Sequence, residues 1–376
     1  MLVVLILCTP AVCAQADEFL LIDDDLLTRR VRVAELNAGA VSVLDQAGGV
    51  DSLALDECIA LIRADAHRPR FVRPHLLLVD GRRLPGGPAE IEATSAEALA
   101  WEHAWLGRLE IPIDDIDAIA MRTGQEAPSA DGEDVIVLAN GDRLEGIITV
   151  LGDPIRIEVG GPERARTIDV PLDRIAAVAM INPPRPAPGR RVFFNDGTIL
   201  DVTDLTVGAD GYVRFIAPEF ASGTRATQIL LDDLEAIVFD TQGVLPLGRL
   251  TPAEIDRPAW RYAAPQPKSI DEDAPLGPRA IEFRGPLAVR YELPAGCRRF
   301  AAEAVLPRPD RGWGDYELII RCGDEEVYRR WINGEQPSDA IDIPLAGREL
   351  TIELTEGAHG PIRDRLLLRR PLLLIE

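Results

Sequence analysis

A segment of about ten residues recurs four times in the first two thirds of the chain, and this repeat constrains the fold most. The copies share the pattern apolar-x-apolar-Asp-x-apolar-x-Ala-apolar, and the aligned aspartates are Asp56, Asp114, Asp173 and Asp232. The spacings are 58, 59 and 59 residues. A motif at a constant period indicates a recurring structural unit. The sequence therefore predicts four similar units, over residues 17–66, 74–124, 132–182 and 190–242.

Each unit also carries a hairpin signal upstream of its aspartate. A turn dipeptide stands between alternating apolar runs at Asp80-Gly81, Asn140-Gly141 and Asp196-Gly197, and a degenerate copy begins at Phe19. Such dipeptides favour two-residue hairpin turns. Central strands are predicted at Arg156–Val159 and Tyr212–Ala217. We therefore expect four small, barrel-like β repeats.

The aspartate segment is interpreted as one tight helical turn followed by the last strand of the unit. Asp favours the cap of such a turn. The alternative is a set of carboxylate ligands, but the neighbouring residues are apolar and no second ligand recurs in phase. A strand, one short turn and a final strand resemble the ending of Sm-like small barrels.

One insertion in the second unit is predicted to be helical. In Ser95–Leu106, Ser95 is a candidate cap, and Trp101 and Trp105 stand four residues apart, which places them on one helical face. This face is expected to pack on the unit or, alternatively, to dock a partner.

The N-terminus carries an export signal. Met1–Val12 is almost wholly apolar and is followed by Ala14-Gln15-Ala16, which fits a signal-peptidase site. The alternative is a buried first strand. A signal peptide over residues 1–16 predicts a secreted or periplasmic protein with no membrane insertion after the signal is removed.

Charge and cysteine content exclude several classes. With 62 acidic and 40 basic residues, the net charge is -22. Such a field repels nucleic acid, so no nucleic-acid partner is expected. The histidines show no metal-ligand spacing, so no metal or cofactor is expected. Cys297 and Cys322 either form a disulfide or are two buried thiols, and Cys58 is a third cysteine.

The last part of the chain, residues 245–376, shows clear two-residue alternation. Half-buried strands are predicted at Ala288–Leu293, Asp315–Cys322, Glu325–Trp331 and Glu349–Leu354. Alternating strands separated by Gly, Pro and Asp turns are typical of an antiparallel β-sandwich, here expected to be jelly-roll-like. The fold class is thus all-β, with four repeats followed by a sandwich.

This region resembles the NPCBM domain, a family of carbohydrate-binding modules in secreted bacterial proteins. The segments that carry the resemblance are Leu247–Pro252, Gly285 with Tyr291-Glu292-Leu293, Cys297–Phe300, Leu318–Gly323, Ile341–Leu350, Leu354–Gly360 and Asp364. The chain departs from the family at the closing strand, where Leu366–Leu368 replaces a Trp. The resemblance implies a sandwich fold and a glycan or glycoprotein partner.

Four residues are candidate ligand contacts: Trp313, Trp331, Arg363 and Asp364. Trp313 lies between two glycines, where a large side chain has little core to join, and an indole stacks on the C–H face of a sugar. The alternative is that Trp313 and Trp331 are core residues. The chain has no catalytic motif. We therefore predict a non-catalytic carbohydrate-binding protein; the alternative is a cell-envelope interaction protein whose β repeats bind a protein partner.

Overall fold

The computed structural model describes residues 18–45, 48–64, 73–89, 98–125, 127–160, 165–186, 190–217, 225–258 and 266–376. Within these ranges the regular structure is β-strand with short 3-10 turns, so the predicted all-β class is confirmed. The predicted signal peptide lies outside the described residues. No helix in the described ranges has the length and apolar character that a membrane crossing requires.

The first two repeats contain eleven strands. They are β1 (Phe19–Asp23), β2 (Thr28–Leu36), β3 (Ala40–Leu44), β4 (Val50–Ala54), β5 (Cys58–Arg63), β6 (His75–Leu78), β7 (Arg83–Pro85), β8 (Gly87–Pro88), β9 (Ala98–His103), β10 (Gly107–Pro112) and β11 (Ile116–Ala120).

The third and fourth repeats contain five strands each. They are β12 (Asp134–Leu138), β13 (Arg143–Val150), β14 (Ile155–Val159), β15 (Arg166–Val170), β16 (Ile175–Ala179), β17 (Arg190–Phe194), β18 (Ile199–Val207), β19 (Tyr212–Ala217), β20 (Arg225–Leu230) and β21 (Leu234–Val238).

In every repeat the first strand pairs antiparallel with the last, which closes the unit. The pairs are β1 with β5, β6 with β11, β12 with β16, and β17 with β21. The predicted turn dipeptides form the hairpins, and their glycines have positive φ, for example 91° at Gly141. A residue with a side chain is strained there. The repeats are thus barrel-like, as predicted; their outer boundaries stay predictions.

The aligned aspartates lie in one-turn 3-10 helices, as expected, but they do not cap them. The turns are Leu55–Glu57, Ile113–Asp115, Leu172–Arg174 and Leu231–Asp233. The aspartate is the second residue of each turn, and the cap position before it is Ala54, Pro112, Pro171 or Leu230, with no side-chain cap bond. The predicted capping role is therefore wrong, because the turn begins two residues earlier than the pattern suggested.

The last strands of different repeats pair with one another. Leu61 of β5 lies opposite Ile237 of β21, and Ile119 of β11 lies opposite Val178 of β16. Each of these residues stands five positions after its aligned aspartate. Each pairing therefore joins equivalent positions of two repeats, as it would if a local two-fold axis related the two repeats. The first repeat joins the fourth and the second joins the third.

Arginines on the two pairs reinforce this arrangement. Arg63 donates hydrogen bonds to the carbonyls of Leu231 and Leu234, across the first pair. Arg122 donates in the same way to the carbonyls of Asp173 and Ile175, across the second pair. Buried residues of all four repeats form one hydrophobic cluster. The four repeats therefore share a single core, which we call the repeat block.

The predicted helix at Ser95–Leu106 is wrong, because its described part is a strand and a turn. Ala98–His103 is β9, which pairs with β10. Leu99, Trp101 and His103 alternate toward the interior, and the Trp101 indole N–H donates to the Leu84 carbonyl at 3.2 Å. Two-residue alternation therefore decides the conformation, although the two tryptophans also fit a helical spacing. Residues 95–97 lie outside the described ranges.

The C-terminal region is a two-sheet sandwich. Its strands are β22 (Val244–Pro246), β23 (Glu254–Asp256), β24 (Lys268–Ile270), β25 (Ala280–Arg284), β26 (Leu287–Glu292), β27 (Cys297–Val305), β28 (Tyr316–Cys322), β29 (Glu325–Ile332), β30 (Ser338–Pro344), β31 (Glu349–Leu354) and β32 (Arg365–Ile375). One sheet has the order β24-β25-β32-β27-β30 with β22 on β32, and the other has the order β23-β26-β31-β28-β29. A second hydrophobic cluster fills the space between them.

The three described cysteines are free thiols. Cys297 lies on β27 and Cys322 on β28, so the two belong to opposite sheets of the sandwich. The predicted bridge between them is therefore not formed. The other alternative, two buried thiols, holds for Cys322, whereas Cys297 is only partly buried.

The repeat block and the sandwich pack against each other. Leu276, Leu372 and Leu374 of the sandwich join an apolar cluster with residues of the first and fourth repeats. Arg279 forms an ion pair with the buried Glu235 at 3.2 Å. Strand β32 runs from Arg365 to this interface, so its first residue lies at the opposite end of the sandwich, about 30 Å away at 3.3 Å per residue.

Candidate functional site

The end of the sandwich that faces away from the repeat block is formed by three connecting segments. They are residues 306–315, 333–337 and 355–364. We call this end the tip. Trp313, which follows the 3-10 turn Arg308–Asp310, has 57% of its surface exposed there. The alternative that Trp313 belongs to the core is therefore wrong.

The Trp313 indole meets one other ring. It makes an edge-to-face contact with the His359 imidazole, at 5.9 Å between centroids and an interplanar angle of 78°. The Nδ1 atom of His359 lies 3.2 Å from Oδ1 of Asp315, which is buried. No hydrogen-bond partner for Nε2 of His359 is found among the described residues. The two rings therefore form an open corner, called here the aromatic corner, in which Asp315 fixes the imidazole.

Close backbone contacts hold the segments of the corner together. A Cβ atom on Gly314 would lie 2.6 Å from the Arg363 carbonyl oxygen, and one on Gly357 would lie 2.1 Å from the Asp315 carbonyl oxygen. The Asp315 carboxylate also accepts a hydrogen bond from the Ala358 N–H at 2.8 Å. The two glycines thus let the segments approach closely enough for Asp315 to reach His359.

A buried carboxylate ties the Trp313 turn to the start of β32. Asp310 accepts hydrogen bonds from Arg365 Nε at 2.7 Å and from Arg363 Nη1 at 3.4 Å. Arg363 also donates to the Pro309 carbonyl at 3.0 Å, while half of its side chain remains exposed. Arg363 is therefore placed beside the Trp313 turn, as a candidate contact should be.

Asp364 lies beneath the tip and not on its surface. It is 3% exposed, its Oδ1 atom accepts the Asp315 N–H at 3.2 Å, and its Oδ2 atom has no hydrogen-bond partner in the described structure. Burial raises the pKa of the Asp364 carboxyl to about 7, against a partial lowering by the Asp315 N–H. The charges of Asp315 and Glu356 raise this pKa further. Asp364 is therefore a support for the loops.

The raised pKa predicts how stability depends on pH. The folded protein holds the Asp364 proton more tightly than the unfolded chain, so the stability from this group is present below about pH 4 and is lost as the pH rises to about 7. At 1.36 kcal/mol per pKa unit, the loss is roughly 2–4 kcal/mol. We expect Asp364→Asn, which keeps an acceptor for the Asp315 N–H, to remove this component. Denaturant unfolding of both proteins across this pH range measures it, and parallel profiles would contradict it.

Trp331 lies at the end of β29, on the outer face of its sheet. It is 42% exposed and stands opposite Glu317 of β28. Within the described structure no ring contact joins it to Trp313, so the two indoles are separate features of the same end of the sandwich.

The structure therefore brings Trp313, Arg363 and Asp364 together and places Trp331 farther along. Sequence reasoning missed His359, Asp315 and Asp310. His359 and Asp315 meet from segments 44 residues apart. The available signals were the glycines beside them, Gly314 and Gly357, but glycine alone does not identify a partner.

A cleft of about 760 Å³ lies between the repeat block and the sandwich. Its polar walls include two ion pairs, Arg191 with Asp201 at 2.9 Å and Arg83 with Asp273. Of its two aromatic residues, Phe193 is buried and Phe239 is partly buried. The tip differs from the cleft in presenting an aromatic side chain, Trp313, that is more than half exposed.

No family model and no curated protein matches the chain. Among solved structures, a CBM51 module of a GH95 protein from Clostridium perfringens, in complex with methyl-galactose, is similar at 12% identity and a TM-score of 0.28. The match covers 35% of this chain and 99% of that one. The tandem CBM51 modules of a family 98 glycoside hydrolase from Streptococcus pneumoniae match at 10% identity and a TM-score of 0.29, over 89% of this chain and 88% of that one.

A third similar structure contains a CBM51 module in complex with GlcNAc and INT domains from Clostridium perfringens ZmpB. It is 9% identical with a TM-score of 0.29, over 48% of this chain and 42% of that one. At these identities and TM-scores, the similarities support no statement about a ligand.

Proposed function

We propose that the protein is a secreted or periplasmic, non-catalytic carbohydrate-binding protein that binds a glycan at the aromatic corner. The observation that carries the proposal is the exposed Trp313 indole, set edge-to-face against an imidazole that a buried carboxylate holds. The repeat block would serve as a platform that presents the tip at its far end.

The corner offers both kinds of contact that a sugar needs. The exposed face of Trp313 is apolar and fits the C–H face of a sugar ring. The free Nε2 atom of His359 and the exposed Arg363 guanidinium provide a hydrogen-bond acceptor or donor at its edge. Because Asp315 and Asp310 hold these side chains in place, little side-chain entropy is lost when a ligand binds.

The charges at the corner favour an uncharged glycan. Asp310 is paired with Arg363 and Arg365, and Asp315 is bonded to His359 and the Ala358 N–H. Asp364, with a pKa near 7, is partly neutral at physiological pH. The net charge of -22 also opposes a polyanionic ligand. A hydroxyl-rich neutral sugar therefore suits the site best.

A raised carboxyl pKa, such as that of Asp364, is also a property of catalytic acids. Its carboxyl lies beneath the loops, 3% exposed, and therefore cannot reach a glycosidic bond at the surface. The carboxylates of Asp310 and Asp315 are held by hydrogen bonds and ion pairs. This arrangement supports a binding role without catalysis.

A titration of the whole chain with neutral sugars tests the proposal. Methyl-galactose and N-acetylglucosamine are suitable first probes in isothermal calorimetry, after a glycan array has been used to survey other sugars. An exposed site with a single stacking indole should give a Kd on the order of 0.1–1 mM. Absence of binding to every glycan on the array and at millimolar ligand would contradict the proposal.

A second candidate function is protein binding by the repeat block in the cell envelope. In each repeat the strand that precedes the 3-10 turn has a ladder partner on one side within the described ranges. These strands are β4, β10, β15 and β20, which pair with β3, β9, β14 and β19. An open strand edge can accept a strand from a partner protein. This function takes first place if no glycan binds.

A further inference from the structure

The second exposed indole, Trp331, belongs to the same surface as the aromatic corner. Trp331 faces outward from its sheet, because its neighbour Ile332 and the core residues Tyr316 and Leu318 of β28 are buried on the inner face. Glu317, opposite Trp331, shares the outer face. The Thr355 N–H, directly after the end of the third strand, β31, donates a hydrogen bond to the Glu317 carbonyl at 3.1 Å and continues this row.

The row of outer-face residues formed by Trp331, Glu317 and Thr355 continues into the aromatic corner. Thr355 is followed by residues 356–360, the segment that carries His359 against Trp313. Three neighbouring strands at a spacing of about 4.8 Å put Trp331 and Thr355 about 10 Å apart. The outer face of the sheet and the corner are therefore continuous through Glu317 and Thr355.

A second close approach, between backbone segments, links the part of the chain that carries Trp331 to the part that carries Trp313. Gly334, three residues after Trp331, lies so close to Arg311 that a Cβ atom would be 2.3 Å from the Arg311 carbonyl oxygen. Arg311 is two residues before Trp313. At no more than about 3.6 Å per residue, this path limits the distance between Trp331 and Trp313 to about 20 Å. The two indoles thus lie at one rim without being in contact.

The charged side chains beside Trp331 are bonded to one another. Arg329, two residues before Trp331 on the same face, donates to Glu317 at 2.7 Å and to both carboxylate oxygens of Glu326 at 2.6 and 2.7 Å. The Trp331 indole thus presents an apolar face beside charged groups that are already bonded to one another, two carboxylates to one guanidinium. Such a surface suits a second uncharged sugar ring.

We propose that Trp313 and Trp331 are two subsites of one binding surface, which takes a neutral oligosaccharide in preference to a single terminal sugar. This inference rests on the proposed function. One sugar residue stacks on Trp313 in the corner, and a residue farther along the same glycan stacks on Trp331, with Glu317 and Thr355 beneath the connecting part.

The experiment is a calorimetric titration of the whole chain with two ladders of neutral sugars. One contains N-acetylglucosamine and its β-1,4-linked oligomers from dimer to hexamer, and the other contains galactose and its oligomers of the same lengths. We expect the affinity in at least one ladder to rise about tenfold between the monomer and the longer oligomers. Trp331→Ala should abolish this rise and leave the Kd of the monomer unchanged, whereas Trp313→Ala should weaken both.

Trp331→Phe and a thermal melt of each variant serve as controls. The phenylalanine should retain part of the rise, because it keeps a stacking face. Equal affinities for monomers and oligomers, with no effect of Trp331→Ala on either, would overturn the two-subsite inference and leave the corner in place. If Trp331→Ala weakens monomer and oligomer equally, the separate subsite is also overturned. Failure of the wild type to bind either ladder or any glycan on the array would overturn the proposed function itself.

Discussion

Replacing Trp313 by alanine is expected to lower the affinity for a bound neutral glycan about tenfold or more. The free energy of unfolding should change by no more than about 0.5 kcal/mol. The reason is the exposure of the indole, 57%, and its single ring contact, with His359. An exposed side chain contributes little to folding but supplies most of the apolar contact for a sugar. Calorimetry with the sugar and denaturant unfolding measure the two effects.

Ile362→Ala is the matched control, because Ile362 is an exposed apolar side chain at the same tip. Its removal should change the affinity by no more than about twofold, since it has no flat face for stacking. A Trp313→Ala protein that binds as tightly as the wild type would show that the corner is not the site. A large loss of stability in that variant would show that the indole is a packing residue.

The second large effect is expected in the repeat block. Leu61 is fully buried at the centre of the pairing between the first and fourth repeats. Leu61→Ala should therefore lower the free energy of unfolding by about 2–5 kcal/mol. Because all four repeats share one core, the last strands β5, β11, β16 and β21 should all lose hydrogen-exchange protection together.

Hydrogen exchange followed by mass spectrometry distinguishes this outcome from independent repeats. Ile147→Ala is the control, since Ile147 is an apolar residue of the same block with 64% of its surface exposed, and its effect should be within about 0.5 kcal/mol. Loss of protection in the first and fourth repeats alone would contradict a shared cooperative core.

Local signals in the sequence predicted the strands of the repeats and of the sandwich. The Asn140-Gly141 dipeptide specifies its hairpin because it needs positive φ, which depends on the residues themselves. The pairing of Leu61 with Ile237 was not predictable in the same way. All five residues of β21 are buried and all but Glu235 are apolar, which indicates a covered strand but does not identify the strand that covers it.

The candidate site was predictable only in part for the same reason. The glycines around Trp313 indicated an exposed indole, and the structure places it at the surface. His359 and Asp315 come from two different segments, and a single sequence contains no signal for their meeting. Asp364 was a reasonable candidate as a carboxylate in this region, but its burial depends on how the segments 306–315 and 355–364 close over it.

The most direct measurement follows the indole N–H resonances of the five tryptophans in isotope-labelled protein during titration with a neutral glycan that binds. The account predicts that the Trp313 resonance moves saturably, with the same Kd as calorimetry, while Trp101, buried in the repeat block, stays unchanged. Assignment rests on the Trp313→Ala spectrum, in which one resonance disappears. Saturable binding that leaves the Trp313 resonance in place would contradict a site at the aromatic corner.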